Sequence, residues 1–421
     1  MSTIAVMAMG IGSMVGAGIF SLMGQAALAA GHNVYLSFLL GGIVALLSGL
    51  TYGRLGACYP RAGGILSYFN TAFGPGILAG GLGLIYFATL AITVSMVAQA
   101  FGAYGAALLH ELGTVQLPAS VLTAGIILLL GLLNMMGAGL VGRAETILVL
   151  LKLLILLLLL AAGLPGMQAN RPVSGLMHAA PAGLLSSVGL TFFAYAGYGM
   201  MANAAPNLRH PARQLPLAIL SAIGLVMVLY VLLSLIITDQ IPPEVLAQHA
   251  DTAVAQAAAP LLGKAGYIAV SVAALIATAS AINATLFSML RIADALSSHG
   301  EIGGFFSARL WRNGTRGYAL TLGLCLLMAL LLNLAETASI AGATFLLSYL
   351  AVYVAHWKLR HHTGAGIWEI LPGALLMLVV FLGFFGHLCR SAPLLPCIIV
   401  GVVGAGFACE WLIRRTQRSQ E

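Results

Sequence analysis

Residues 150–162 read LLKLLILLLLLAA, thirteen positions with one polar side chain among them. Such a run has no face to turn toward water. Stretches of this kind recur along the chain, each close to the ~20 apolar residues that cross a bilayer. They fall near 3–29, 34–57, 77–109, 117–138, 144–164, 182–204, 215–238, 265–290, 317–334, 337–357, 367–386 and 393–413. Only 7% of the residues are charged, against roughly 25% in a soluble domain. Lipid is therefore the expected solvent. Inside lipid the backbone must satisfy its own hydrogen bonds, and spans of this length do so as helices. The chain is predicted to be an all-α integral membrane protein of about twelve transmembrane helices. The third span is long enough to require tilt or an extension beyond the bilayer.

Lysine and arginine orient the spans. With the N-terminus inside, Arg54, Arg61, Arg143, Arg209, Arg213, Arg291, Arg309, Arg312, Arg316, Lys358, Arg360, Arg414, Arg415 and Arg418 fall on the cytoplasmic side. Arg171, Lys264 and Arg390 fall outside, and Lys152 stays in the membrane. The bias predicts a multi-pass protein of the cell membrane with both termini cytoplasmic. It also accounts for the net charge of +7 without nucleic acid. Met1-Ser2-Thr3 leads into apolar sequence with no charged region before it, so the first stretch is expected to remain as a span and not act as a signal peptide. The five cysteines form no CxxC pair and gather no histidines, so no metal or other cofactor is expected. Neither HExxH, GxSxG nor GxxxxGK[ST] occurs, which argues against an enzyme or an ATP-driven pump. The loop near 239–264 is expected to form short helices over the outer face.

Span one carries GIGSMVGAGIF at 10–20, with four glycines at mid-depth. Each weakens a helix by roughly 1 kcal/mol relative to alanine. Gly12 and Gly16 form a GxxxG, which serves close helix packing. The alternative is an unwound segment over residues 12–18, tolerable in lipid only where protein or a polar solute satisfies it. Span six, GLTFFAYAGYGMMANAAPNLRHP, repeats the signal with Gly197, Gly199 and Pro206. Interrupted helices at matching positions of two five-span halves point to an inverted-repeat transporter. Half-helix ends would offer N–H groups to an anion and C=O groups to a cation.

Several motifs in order resemble the amino acid–polyamine–organocation transporters. They are GSMVGAGIF in span one, YGRLGACYPRAGGILSYFNTAFGP at 52–75, RHPARQLPLAI after span six, ATASAINATLFSMLRIADALSSHG in span eight and SIAGATFLLSYLAVYVAHWKLR in span ten. The resemblance implies a LeuT-type five-plus-five inverted repeat with helices one and six broken. Residues 1–360 would form the ten-helix core, with repeats at 1–164 and 182–357. Residues 361–421 would add two accessory helices and a short cytoplasmic tail.

The resemblance also implies a site. Backbone N–H groups of Gly16, Ala17 and Gly18 would hold a substrate carboxylate. Carbonyls near Met14, Phe193 and Ala196 would hold the amino group. Phe193 stands where arginine–agmatine antiporters of this family carry a gating tryptophan. Gly197 belongs to the break, and Ser13, Thr93, Asn283 and Thr285 are polar candidates for the pocket. Many relatives carry a glutamate in span six, where this chain has Gly199, so neutral amino acids are expected over dications. Lys152 lies about 13 Å along the helix from Arg143, deep in the membrane. There a lysine is costly and its pKa falls, and GRAETILVLLKLLIL resembles span five of proton-coupled members. The expected partners are a small neutral amino acid, protons and membrane lipid, with no nucleic acid and no obligate protein partner. The expected function is a proton-coupled permease. The alternative is an exchanger of amino acids, amines or organic cations without proton coupling.

Overall fold

The computed structural model describes residues 2–60, 64–113, 116–136, 141–166, 181–298, 308–311 and 314–418. Arg61, Arg171 and Arg312, which entered the orientation argument, lie outside the described residues. The described chain is almost wholly helical. Its short antiparallel strand pair, Arg309–Trp311 with Gly314–Thr315, lies between spans eight and nine. Among the described residues, eight helical stretches are long and apolar enough to cross a bilayer, among them Ile77–Glu111, Pro211–Gln240, Leu334–Thr363 and Ile367–Ser391. Thr3–Ala17, Ala119–Met135, Ile147–Gly163 and Arg316–Leu331 are equally apolar but shorter.

The numbering of the predicted spans is kept below. Span three is one helix, Ile77–Glu111, of 35 residues, about 52 Å at 1.5 Å per residue. It is central, packing on spans four, eight, nine, ten and twelve. Polar side chains tie it to its neighbours through backbone groups. Ser95 Oγ donates to the Cys325 carbonyl at 3.0 Å, and Gln99 Nε2 to that of Ala329 at 3.1 Å. Span twelve lies close because Gly80 and Gly81 leave room for the Glu410 carboxylate and the Phe407 ring. Span two packs on spans six and seven, where Thr191 Oγ1 and the Tyr195 hydroxyl donate to the carbonyls of Ser37 and Phe38.

The structure differs from the sequence expectations in several places. A helix, Gly64–Phe73, fills the connection between the expected spans 34–57 and 77–109. The helical run Ala253–Ser298 is two helices divided at the non-helical Gly263, whose φ is 65°, so the second begins close to the expected start of span eight at 265 and runs beyond 290. The short helix Pro243–His249 and a 3-10 turn, Ala250–Thr252, precede that run, in keeping with the short helices expected of the loop near 239–264. The break in span one is also narrower than its glycines suggest. Thr3–Ala17 is one helix, and only Gly18, at φ −83° and ψ −87°, separates it from Ile19–Ala30.

The first three glycines of GIGSMVGAGIF stay helical because neighbouring helices press on them. A Cβ on Gly10 would strike the Met201 thioether. On Gly12 it would lie 2.5 Å from Val149 Cγ2, and on Gly16 2.9 Å from the Ala277 carbonyl oxygen and from Ala281 Cβ. These positions serve close packing, the reading the GxxxG spacing had left open.

Candidate functional site

The site grows from the two interruptions. At Gly18 the helix stops for one residue, and the carbonyl of Met14 collects two donors there: the Gly18 N–H at 2.9 Å and the Tyr230 hydroxyl at 2.7 Å. The Ile19 N–H lies on the same Tyr230 oxygen, so one phenol bridges the break. Tyr195 and Phe38 hold the Tyr230 ring, with centroids 5.2 and 5.5 Å away. Gly18 is required by close approach. A Cβ there would lie 2.6 Å from the carbonyl oxygens of Met14 and Ala194 and would strike the Tyr230 hydroxyl.

Span six changes character at a matching place. Pro181–Tyr195 is α-helical, and Ala196–Asn207 continues as a 3-10 helix through Pro206. The tighter winding brings its backbone against span one. A Cβ on Gly197 would lie 2.7 Å from the Met14 nitrogen and from Ser13 Oγ. A second tyrosine serves this break: the Tyr349 hydroxyl of span ten donates to the Ala196 carbonyl at 2.8 Å. The same hydroxyl faces Gly199, 2.6 Å from where its Cβ would be.

Two of the carbonyls expected to receive an amino group, those of Met14 and Ala196, thus each receive a tyrosine O–H here. The backbone N–H groups of Gly16 and Ala17 belong to the body of Thr3–Ala17, and that of Gly18 points back to Met14. The helix that restarts after the break presents the first-turn donors of Phe20 and Ser21, with Leu22 N–H making the first bond back to Gly18. A helix N-terminus of this kind favours an anion.

Lys152 is fully buried, and its Nζ donates to the Gly12 carbonyl at 2.6 Å. Nζ also lies 3.6 Å from where a Cβ on Gly16 would be. Span five is thereby tied to span one a turn before the break. Ser13 Oγ contacts Met200 Sδ at 3.2 Å. Ser13, Ala17, Gly197 and Met200 are partly exposed, whereas Phe20 to Met23 beyond the break are buried.

Phe193 stacks at 5.0 Å on Phe345 of span ten, which meets Tyr86 of span three at 6.1 Å. Thr93 and Thr285 bond back to the carbonyls of Thr89 and Ala281, both at 2.8 Å. Thr285 lies one turn past Ala281, on the face of span eight that meets Gly16. Asn283 is elsewhere. Two residues from Ala281 it is turned by about 200°, and its Oδ1 accepts from Asn134 Nδ2 of span four at 2.8 Å. Tyr230, Tyr349, Phe345 and Tyr86 were not anticipated. The signal available was a lone Tyr230 inside the aliphatic run VMVLYVLLSL, since a buried phenol needs a polar partner.

The model of a family described as "Amino acid permease" matches residues 1–412. The inner membrane transport protein YbaT of Escherichia coli (strain K12) is 45% identical over 381 residues, covering 90% of this chain and 88% of that protein. The branched-chain amino acid permease BcaP of Lactococcus lactis subsp. cremoris is 28% identical, covering 91% and 86%. The methylthioribose transporter of Bacillus subtilis is 28% identical, covering 71% and 67%. The apolar helices, the paired interruptions and these likenesses agree: the chain is a membrane transport protein belonging to the amino acid permease family.

Proposed function

We propose that the protein is a secondary active transporter for small neutral amino acids. It works by alternating access, coupled to protons, in a cell membrane with both termini cytoplasmic. In this reading residues 1–360 form a ten-helix core of two inverted five-span repeats, and spans eleven and twelve are accessory. The observation that carries it is the buried break at Gly18, facing the 3-10 turn at Ala196, with the Lys152 amine one turn away. The substrate carboxylate enters at Gly16–Gly18 and reaches the first-turn donors of the restarted helix at Phe20 and Ser21. The amino group meets the carbonyls of Met14, Phe193 and Ala196. Phe193, with Phe345 behind it, covers the side chain, and Ser13 and Thr285 line the approach.

Neutral substrates fit because no carboxylate stands at mid-depth in span six: Gly199 is there, with a tyrosine hydroxyl against it. The branched-chain permease among the relatives supports an apolar substrate side chain. Lys152 is the coupling residue. Protonated, it braces spans one and five through Gly12. Deprotonated, it releases span one for opening to the cytoplasm.

Uptake into proteoliposomes under an imposed proton gradient tests both parts. Neutral amino acids should outcompete arginine, lysine and putrescine. Lys152→Ala should keep measurable substrate binding and lose gradient-driven uptake. Equal competition by arginine would overturn the substrate reading, and gradient-driven uptake at the parental rate in Lys152→Ala would overturn the coupling.

A further inference from the structure

The half of span one beyond Gly18 is gripped on its outer side from two directions. Toward span six, Ser187 Oγ donates to the Ala26 carbonyl at 3.0 Å, and the Ala29 carbonyl oxygen lies 2.6 Å from where a Cβ on Gly183 would be. These contacts join the two broken helices and would travel with them. Toward the turn Ala250–Thr252, the Ala250 carbonyl presses directly on Gly24, and Gln25 Nε2 donates to Asp251 Oδ1 at 2.7 Å. This second set crosses between the broken helices and a cap rooted in spans seven and eight. Any outward opening that moves span one must part it.

In the proposed orientation the cap belongs to the outer connection between spans seven and eight. The helical run Pro243–Leu290 has 48 residues, more than the ~20 that cross a bilayer once. It is interrupted at Ala250–Thr252 and again at Gly263.

We propose that Gln25 and Asp251 form a latch, strengthened by acid, which holds the outer half of span one against the cap and sets when the outer side of the site opens. The proposal rests on the transporter reading and its orientation. Burial raises the Asp251 carboxyl above the ordinary carboxylate range, and the Gln25 amide draws it part of the way back. Span one offers the neutral Gln25, span three the phenol of Tyr104, and the cap itself His249 two residues away. Once the latch parts, Asp251, already partly exposed, becomes fully hydrated and its ordinary value returns.

The closed form therefore holds the proton more tightly than the open form. Closure is favoured by acid and weakens as external pH climbs through the raised value. The hydrogen bond survives protonation, because a neutral carboxyl still accepts through its carbonyl oxygen. The cost of burying a charge is what disappears. An acidic exterior would thus shut the outer side over a loaded site, in the direction an inward proton gradient drives.

Ser21, buried beyond the break, reports the opening as Ser21→Cys in a background whose five native cysteines are serine. A membrane-impermeant maleimide is applied from outside to proteoliposomes, without substrate, over a pH range that brackets the Asp251 titration. Dividing each rate by that of the same protein carrying Asp251→Asn cancels the thiol's own titration. The ratio should rise several-fold with pH, since Asp251→Asn stays neutral and latched. Gln25→Ala should raise labelling and move the rise to higher pH. A ratio flat across the range, or a Gln25→Ala rate equal to the parent's, would overturn the latch. Uptake, scored separately, reports the transporter reading, so the two can fail independently.

Discussion

Gly18→Ala is the substitution that most directly probes the break in span one. In an ordinary helix, replacing glycine by alanine gains up to about 1 kcal/mol. Gly18 forgoes that gain, because at ψ −87° it is not helical. The new Cβ would lie 2.6 Å from two backbone carbonyl oxygens, of Met14 and Ala194, and would strike the Tyr230 hydroxyl. A flexible side chain can yield, but two carbonyls belonging to different helices cannot. Overpacking of this kind costs about 1–3 kcal/mol, or about 5- to 150-fold in the population that keeps the break closed around Met14. Gly224, in span seven, is the matched control, since nothing lies within 4 Å of its Cβ position. Apparent unfolding midpoints in nanodiscs and uptake in proteoliposomes measure the pair. Gly18→Ala should lower the midpoint and cut uptake at least about fivefold, while Gly224→Ala keeps both. Parental stability and uptake in Gly18→Ala would refute the argument that the break is held by close approach.

Tyr230→Phe removes the phenol that bridges the break. Met14 keeps the Gly18 N–H, but the Ile19 N–H loses its partner, which costs about 1–3 kcal/mol; the empty protein should melt earlier, and saturating substrate should raise its midpoint by more than it raises the parent's. Phe345→Ala removes the ring behind Phe193 and costs about 3–5 kcal/mol; competition assays should show selectivity moving toward bulkier side chains. The half-exposed Arg54–Glu369 pair, at 3.1 Å, is worth only about 0.2–1 kcal/mol; Arg54→Ala should leave the midpoint within a few degrees of the parent's.

The sequence by itself determined the solvent and the helical class. Twelve apolar runs with so little charge leave no way to fold in water, and lipid admits helices of this length whatever their packing. It also singled out spans one and six, because glycine and proline are costly inside a lipid-bound helix and persist where something else stabilises them. It marked Lys152 as buried, since an amine that deep cannot reach an interface. Local composition does not state which glycine does what. Gly10, Gly12 and Gly16 carry the same letter as Gly18, yet three are pressed by Met201, Val149 and Ala277 while one interrupts the helix. That difference belongs to neighbours 130 to 260 residues away along the chain. The same holds for Tyr230 and Tyr349, whose hydroxyls complete Met14 and Ala196, and for Asn283, which the turn of its helix directs to Asn134. The pattern of apolar residues fixes what must be buried; only the packing of distant spans fixes which polar groups meet there, because a hydrogen bond needs its partner within about 3 Å and the chain order does not set that distance.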